Sequence, residues 1–175
     1  MKTKNVPLLL WKLCEGEILD DRLSMEDAEF FIIGDSASHI PKHIKAWPKH
    51  IHKAIAEKLV DFGKYDMAHK VFECIDQFHG VNQKELALRA IKGGGTGWAV
   101  LWVSDSSGTL RKFYWADQEV AEAVIRSGHS WVVSKDPQAF KNLDPKDIVY
   151  LMAQCGEFSS LKEFMENYQK KTKED

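Results

Sequence analysis

The chain has few of the features that staple small proteins together or place them in a membrane. Its three cysteines, Cys14, Cys74 and Cys155, are odd in number and far apart. That excludes a disulfide framework and a Cys-x-x-Cys metal site and points to a reducing compartment, the cytoplasm. Apolar runs are short: Leu8–Trp11 and Trp98–Val103 fall far below the roughly 20 residues a membrane-spanning helix needs. Lys12 interrupts the first of them, and Glu15 and Glu17 stand where a small-residue cleavage site would be, so no secretory signal is expected. With 5 prolines and 11 glycines, the composition is neither disordered nor collagen-like. Neither sign of charge dominates, since 24 basic residues face 26 acidic ones, which is not the footprint of a dedicated nucleic-acid binder.

Apolar material is ample at 44% of residues, and a chain of 175 residues is long enough to bury a core. Punctuation divides it. Asn5 and Pro7 open a short helix that Gly16 stops. Ser24 and Asp27 form a capping-box pattern that opens MEDAEFFII, stopped at Gly34. Residues 35–47 read as a loop or irregular turn around Pro41. Pro48 opens an amphipathic helix carrying Ile51, Ile55, Leu59 and Phe62 at steps of three and four. A partner with Ala68, Val71, Phe72, Ile75 and Phe78 on one face follows after Gly63, which predicts an antiparallel αα-hairpin. Asn82 and Glu85 start a further helix that runs to Gly93.

Within the hairpin, Ala56, Leu59, Gly63, Tyr65, Ala68 and Phe72 fall at the spacing of small and large packing positions, and the pair resembles one tetratricopeptide repeat. The resemblance spans about 30 residues, Gly80 replaces the proline usual near a repeat's end, and no second copy appears. It implies convergent packing of a helix pair rather than a repeat array.

The pattern changes at KGGGTGW. WAVLWVSD is apolar on both faces, SSG marks a turn and TLRKFYWA alternates, so residues 98–116 read as a β-hairpin. Asp117 caps DQEVAEAVIRS, Gly128 ends it, and HSWVVS reads as a third strand. Asp144–Pro145 and Ser160–Glu163 start two last helices. The expected fold class is α+β: a helical part over 1–92 with about five helices, then a small α/β part over 93–175 built as β-β-α-β plus two helices, in one globular unit.

The segment HIPKHIKAWPKHIHK, residues 39–53, holds four of the seven histidines, four lysines and no acid. Imidazoles ligate zinc-like ions, which would pair His39 with His43 or His50 with His52. Pro41 breaks the helical spacing of the first pair, and no thiol or carboxylate is close in sequence, so no metal is assigned. Lys42, Lys45, Lys49 and Lys53 suit phosphates or an acidic partner, with Trp47 available for stacking. Just before them, Glu15, Glu17, Asp20, Asp21, Glu26, Asp27, Glu29 and Asp35 stand against one base, Arg22, so the two blocks either pair with each other or each dock a partner.

The loop Gly93, Gly94, Gly95, Thr96 and Gly97 leaves a helix and enters a predicted strand, the reverse of a phosphate loop, and reads as a helix stop and hinge. No Gly-x-Ser-x-Gly elbow, zincin or deaminase motif is present; the candidates for a dispersed catalytic pair are His129 with Asp105 or Cys155. Four of six tryptophans, Trp98, Trp102, Trp115 and Trp131, fall on the predicted strands, as core or as an aromatic platform. No motif requires a cofactor or fixes an oligomeric state. The leading reading is a non-enzymatic intracellular interaction protein, an inhibitor, immunity or accessory factor with a protein partner. The alternatives are a small hydrolase-like enzyme with a His/Asp site near the glycine loop, and a nucleic-acid binder through residues 42–53.

Overall fold

Among the described residues, the glycine- and proline-punctuated segments condense into helices. The structure, a computed structural model, describes residues 6–17, 22–34, 36–62, 67–94, 97–102 and 113–171. Among them the α-helices are α1 (Val6–Cys14), α2 (Met25–Ile33), α3 (His52–Asp61), α4 (Met67–Glu73), α5 (Gln83–Lys92), α6 (Gln118–Arg126), α7 (Ser130–Lys135), α8 (Pro145–Gln154) and α9 (Phe158–Lys171). Short 3₁₀ turns fill the gaps, at Ala37–His39, Pro41–Ala46, Lys49–Ile51, Ile75–Gln77, Gly97–Trp102 and Pro137–Ala139.

Local chemistry explains the boundaries. The Ser24 N–H donates to the Asp27 carboxylate at 2.8 Å while Asp27 N–H donates back to Ser24 Oγ, a complete capping box. Asn82, Asp117 and Asp144 cap α5, α6 and α8 with their side-chain oxygens. At the other ends of α6 and α8, Gly128 (φ +82°) and Gly156 (φ +76°) take the left-handed conformation that lets the next residue's N–H reach back to Val124 and Met152.

The α+β expectation is wrong. Among the described residues there is no strand or sheet, and the β feature present is an isolated bridge between Asp117 and Lys141. The first expected strand, WAVLW, is a 3₁₀ turn laid against α4 and α5, with Val100 fully buried. The third, HSWVVS, supplies most of α7. The first half of the second, 109–112, lies outside the described residues; its second half, 113–116, is a turn. Aromatic and β-branched residues favour strands because they pack on a half-buried pleated surface, and the preference yields when helices offer that packing instead. In α7, Ser130 and Ser134, four residues apart, face α9: the Ser134 hydroxyl donates to the Ser160 carbonyl at 2.6 Å and Ser130 Oγ lies 2.9 Å from Ser160 Oγ.

Buried side chains from both halves join one apolar cluster, and α5 packs on both the Gly97–Trp102 turn and α6. In the α3–α4 pair, Ala56, Leu59, Ala68 and Phe72 are buried, while Gly63 and Tyr65 lie outside the described residues.

Candidate functional site

Residues 36–53 were expected as a loop followed by a helix from Pro48; they form three successive 3₁₀ turns that lead into α3. Ile40, Pro41, Ile44, Ala46 and Trp47 turn inward and are buried. Trp47 is fully enclosed, its indole N–H donating to the Ser24 carbonyl at 3.0 Å and its ring meeting Phe31 edge-on at 5.9 Å. The Leu23 N–H donates to the Ala46 carbonyl at 2.8 Å, which ties the segment to the entrance of α2. Its far end is held by His52, buried at the start of α3 and bonded to the backbone of Trp47 and His79.

With the apolar positions anchored, the polar ones face out. A 3₁₀ helix has three residues per turn, so side chains three apart eclipse. His39 and Lys42 follow that spacing, Lys45 stands beyond a kink at His43 (φ −117°), and Lys42, Lys45, Lys49 and His50 are exposed. Lys53 is 3.9 Å from Glu57. Lys42, Lys45 and Lys49 have no carboxylate partner among the described residues; within the acidic block, Glu29 pairs with Lys58 at 2.7 Å and Glu17 with Lys12 at 4.0 Å. The acidic and basic blocks are therefore not joined by an ion pair among these residues; Asp20, Asp21 and Asp35 lie outside them. His43, partly buried behind the ridge, has its pKa lowered by burial and then by the nearby His39 and Lys42.

His39 lies near His43, but the four histidines do not converge as a set. His52 is committed to the core, His50 faces solvent, and His39 turns to Cys14, whose Sγ is 3.7 Å from its Nδ1. No group of three or more metal-ligating side chains forms among the described residues. The Cys14–His39 contact joins α1 to the ridge, and one turn back along α1 stand Trp11 and then Leu8, about half exposed at 52% and 49%. Sequence reasoning passed over both. Their signal was the three-residue step Leu8, Trp11, Cys14, opposite the inward Leu13.

The remaining candidates sit apart. Nδ1 of His129 is 3.2 Å from Ser127 Oγ, and its ring lies 5.7 Å from that of Trp98; Cys155 caps α8, and Asp105 is outside the described residues. Trp98 meets Trp131 edge-on at 4.9 Å, whereas Trp115 packs with Phe72 and Phe113. Gly93 caps α5, Gly94 has φ +79°, and a Cβ on Gly97 would overlap the Ala90 carbonyl; Gly95 and Thr96 are outside the described residues. The open cavity of about 290 Å³ beside these glycines has Asp61 and Arg89 as its charged groups, already paired to each other. Compared with family models, with curated proteins and with solved structures, the chain matches none.

Proposed function

We propose that this chain is a non-enzymatic interaction protein that docks on an acidic face of a protein partner through His39, Lys42, Lys45 and Lys49, with Trp11 and Leu8 as the apolar edge of the contact. The observation that carries this reading is a ridge of outward lysines with no carboxylate partner among the described residues, on a segment whose inward side chains are locked in the core. Fixed cations steer an oppositely charged partner and set its register, and a half-exposed tryptophan on α1, the helix that packs on the Pro41–Ala46 turn, is the kind of anchor that contributes most binding energy. A protein partner is favoured over nucleic acid because the aromatic ring in the basic segment, Trp47, is enclosed and offers no stacking face. Such a role, as inhibitor, immunity or accessory factor, suits a reducing, cytoplasmic setting in which Cys14, Cys74 and Cys155 stay free thiols.

The test is crosslinking capture from nuclease-treated extract with wild type, Trp11→Ala and a Lys42→Glu/Lys45→Glu/Lys49→Glu variant. The charge-reversed protein should keep its thermal midpoint, since exposed, unpaired residues change stability by only about 0.5 kcal/mol. It should lose at least about tenfold in capture of a partner with an acidic surface, and wild-type capture should weaken as salt rises. Equal capture by the charge-reversed variant, or capture abolished by nuclease, would overturn the reading.

A further inference from the structure

Cys14 ends α1 and His39 ends the first 3₁₀ turn, so 25 residues of chain separate them and their meeting is a product of the fold. α1 packs on both α2 and the Pro41–Ala46 turn, which holds the two residues' backbones in place. Cys14 Sγ lies 3.7 Å from His39 Nδ1, within reach for a thiol donating to an imidazole nitrogen. A neutral ring that accepts this bond carries its own proton on Nε2. The Cys14 side chain is exposed and His39 is only partly buried, so a small molecule can reach the sulfur. The other two thiols differ. Cys155, also exposed, ends α8 with no imidazole against its sulfur among the described residues, and Cys74 is half-buried.

We propose that Cys14 is a modification site at which small disulfides exchange, with His39 as the base that takes the thiol proton. A thiolate, not a thiol, attacks a disulfide, and a base within hydrogen-bond reach activates a weak nucleophile. The proton passes from Sγ to Nδ1, and the sulfur attacks one sulfur of the disulfide, forming a new S–S bond as the old one breaks. The departing thiolate takes the proton back from the imidazolium and leaves as a thiol. Cys14 is thereby oxidised to a mixed disulfide and the released half of the reagent is reduced, with the disulfide itself as the oxidant. Charges of both signs stand near the pair, Lys12, Glu15 and Glu17 about the end of α1 and Lys42 on the ridge, so the reactivity is assigned to the imidazole. An exposed mixed disulfide is readily reversed by excess thiol, which makes it a transient mark in a reducing compartment. The proposal goes beyond docking and stands without it, since the probe is a small disulfide and no partner takes part.

The experiment follows exchange of the reduced full chain with dithiobis(nitrobenzoate), whose released thiolate absorbs visible light. It compares Cys74→Ser/Cys155→Ser, which keeps Cys14, with Cys14→Ser/Cys74→Ser, which keeps Cys155, and peptide mass spectrometry of the wild type after limited reaction locates the adduct. The chain that keeps Cys14 should react at least about tenfold faster near pH 7, and adding His39→Ala should bring it within about threefold of Cys155. The gap should close towards about pH 10, where thiols ionise without a base. Loosening of the fold by His39→Ala would expose the sulfur and speed the reaction, so a slower rate reports the lost base. Cys14 reacting no faster than Cys155, the same rate with and without His39, or a gap that persists unchanged into alkaline solution would overturn the proposal.

Discussion

Nε2 of His52 lies 2.9 Å from the carbonyl oxygen of Trp47 while its Nδ1 accepts the N–H of His79 at 3.2 Å. Only the neutral ring with its proton on Nε2 satisfies both contacts, because the carbonyl needs a donor and the amide an acceptor. The histidine thereby clamps the end of the basic segment to the turn after the Ile75–Gln77 helix. His52→Leu fills similar volume but leaves the Trp47 carbonyl and the His79 amide without these partners. Unmade bonds of this kind cost roughly 1–3 kcal/mol each, so the expected loss in urea unfolding is about 2–6 kcal/mol. A loss under about 0.5 kcal/mol would show that the clamp is dispensable.

The hydroxyls between α7 and α9 form a second polar joint. The Ser160 hydroxyl donates to Ser130 Oγ and Ser130 donates to the Glu157 carboxylate at 2.8 Å, an order that spends one proton per hydroxyl. Ser134→Ala removes the donor to the Ser160 carbonyl inside a fully enclosed contact. We expect about 1–2 kcal/mol of destabilisation, and Ser130→Ala with Glu157→Gln to be non-additive in a double-mutant cycle by at least about 0.5 kcal/mol, because both act on one chain of bonds.

Legibility in the sequence followed the range of the interaction. Ser24 with Asp27, Asp117, Asp144 with Pro145, and Gly128 act within one helical turn, and each boundary they marked is where the structure places it. WAVLW and SWVVSK misled because their composition states that they will be buried, not what will bury them; only α4, α5 and α9 decide that, from far along the chain. Ser130 and Ser134 did not decide it either, because a four-residue step puts both on one face of a helix and of a strand alike. In the basic segment the lysines were legible as a surface, but nothing local separated Trp47 and His52, which point inward, from His39 and Lys42, which point out. The Cys14–His39 contact joins positions that no motif spacing connects.

Gly97 and Gly94 separate two reasons for a glycine. At Gly94 the space is open but φ is +79°, so Gly94→Ala should cost about 1–2 kcal/mol of backbone strain. At Gly97 the backbone of the WAVLW turn lies directly on α5, and a methyl group would overlap the Ala90 carbonyl. Gly97→Ala has to push the turn off α5, at a cost expected to exceed that of Gly94→Ala and to reach about 3 kcal/mol, the upper range for overpacking. Chemical denaturation of the two single variants checks the order; the reverse order would mean that the turn shifts freely.

His43 supplies the pH dependence. Its pKa is lowered from 6.5, first by burial and then by His39 and Lys42, so below pH 6.5 the unfolded chain takes up the proton before the folded one does. Stability from this residue is therefore unaffected above pH 6.5 and falls as pH drops from 6.5 towards the lowered folded value. NMR titration should place the His43 midpoint below 6.5 in the folded protein, Lys42→Gln should raise it, and His43→Gln should flatten the acid limb of the stability curve. The same residue reports on docking. An acidic partner seated on Lys42 brings negative charge to the imidazole and raises its midpoint, so docking takes up a proton and tightens as pH falls through that range. Binding that is flat from pH 7.5 to 5.5, with the His43 midpoint unmoved by the partner, would place the contact away from this ridge.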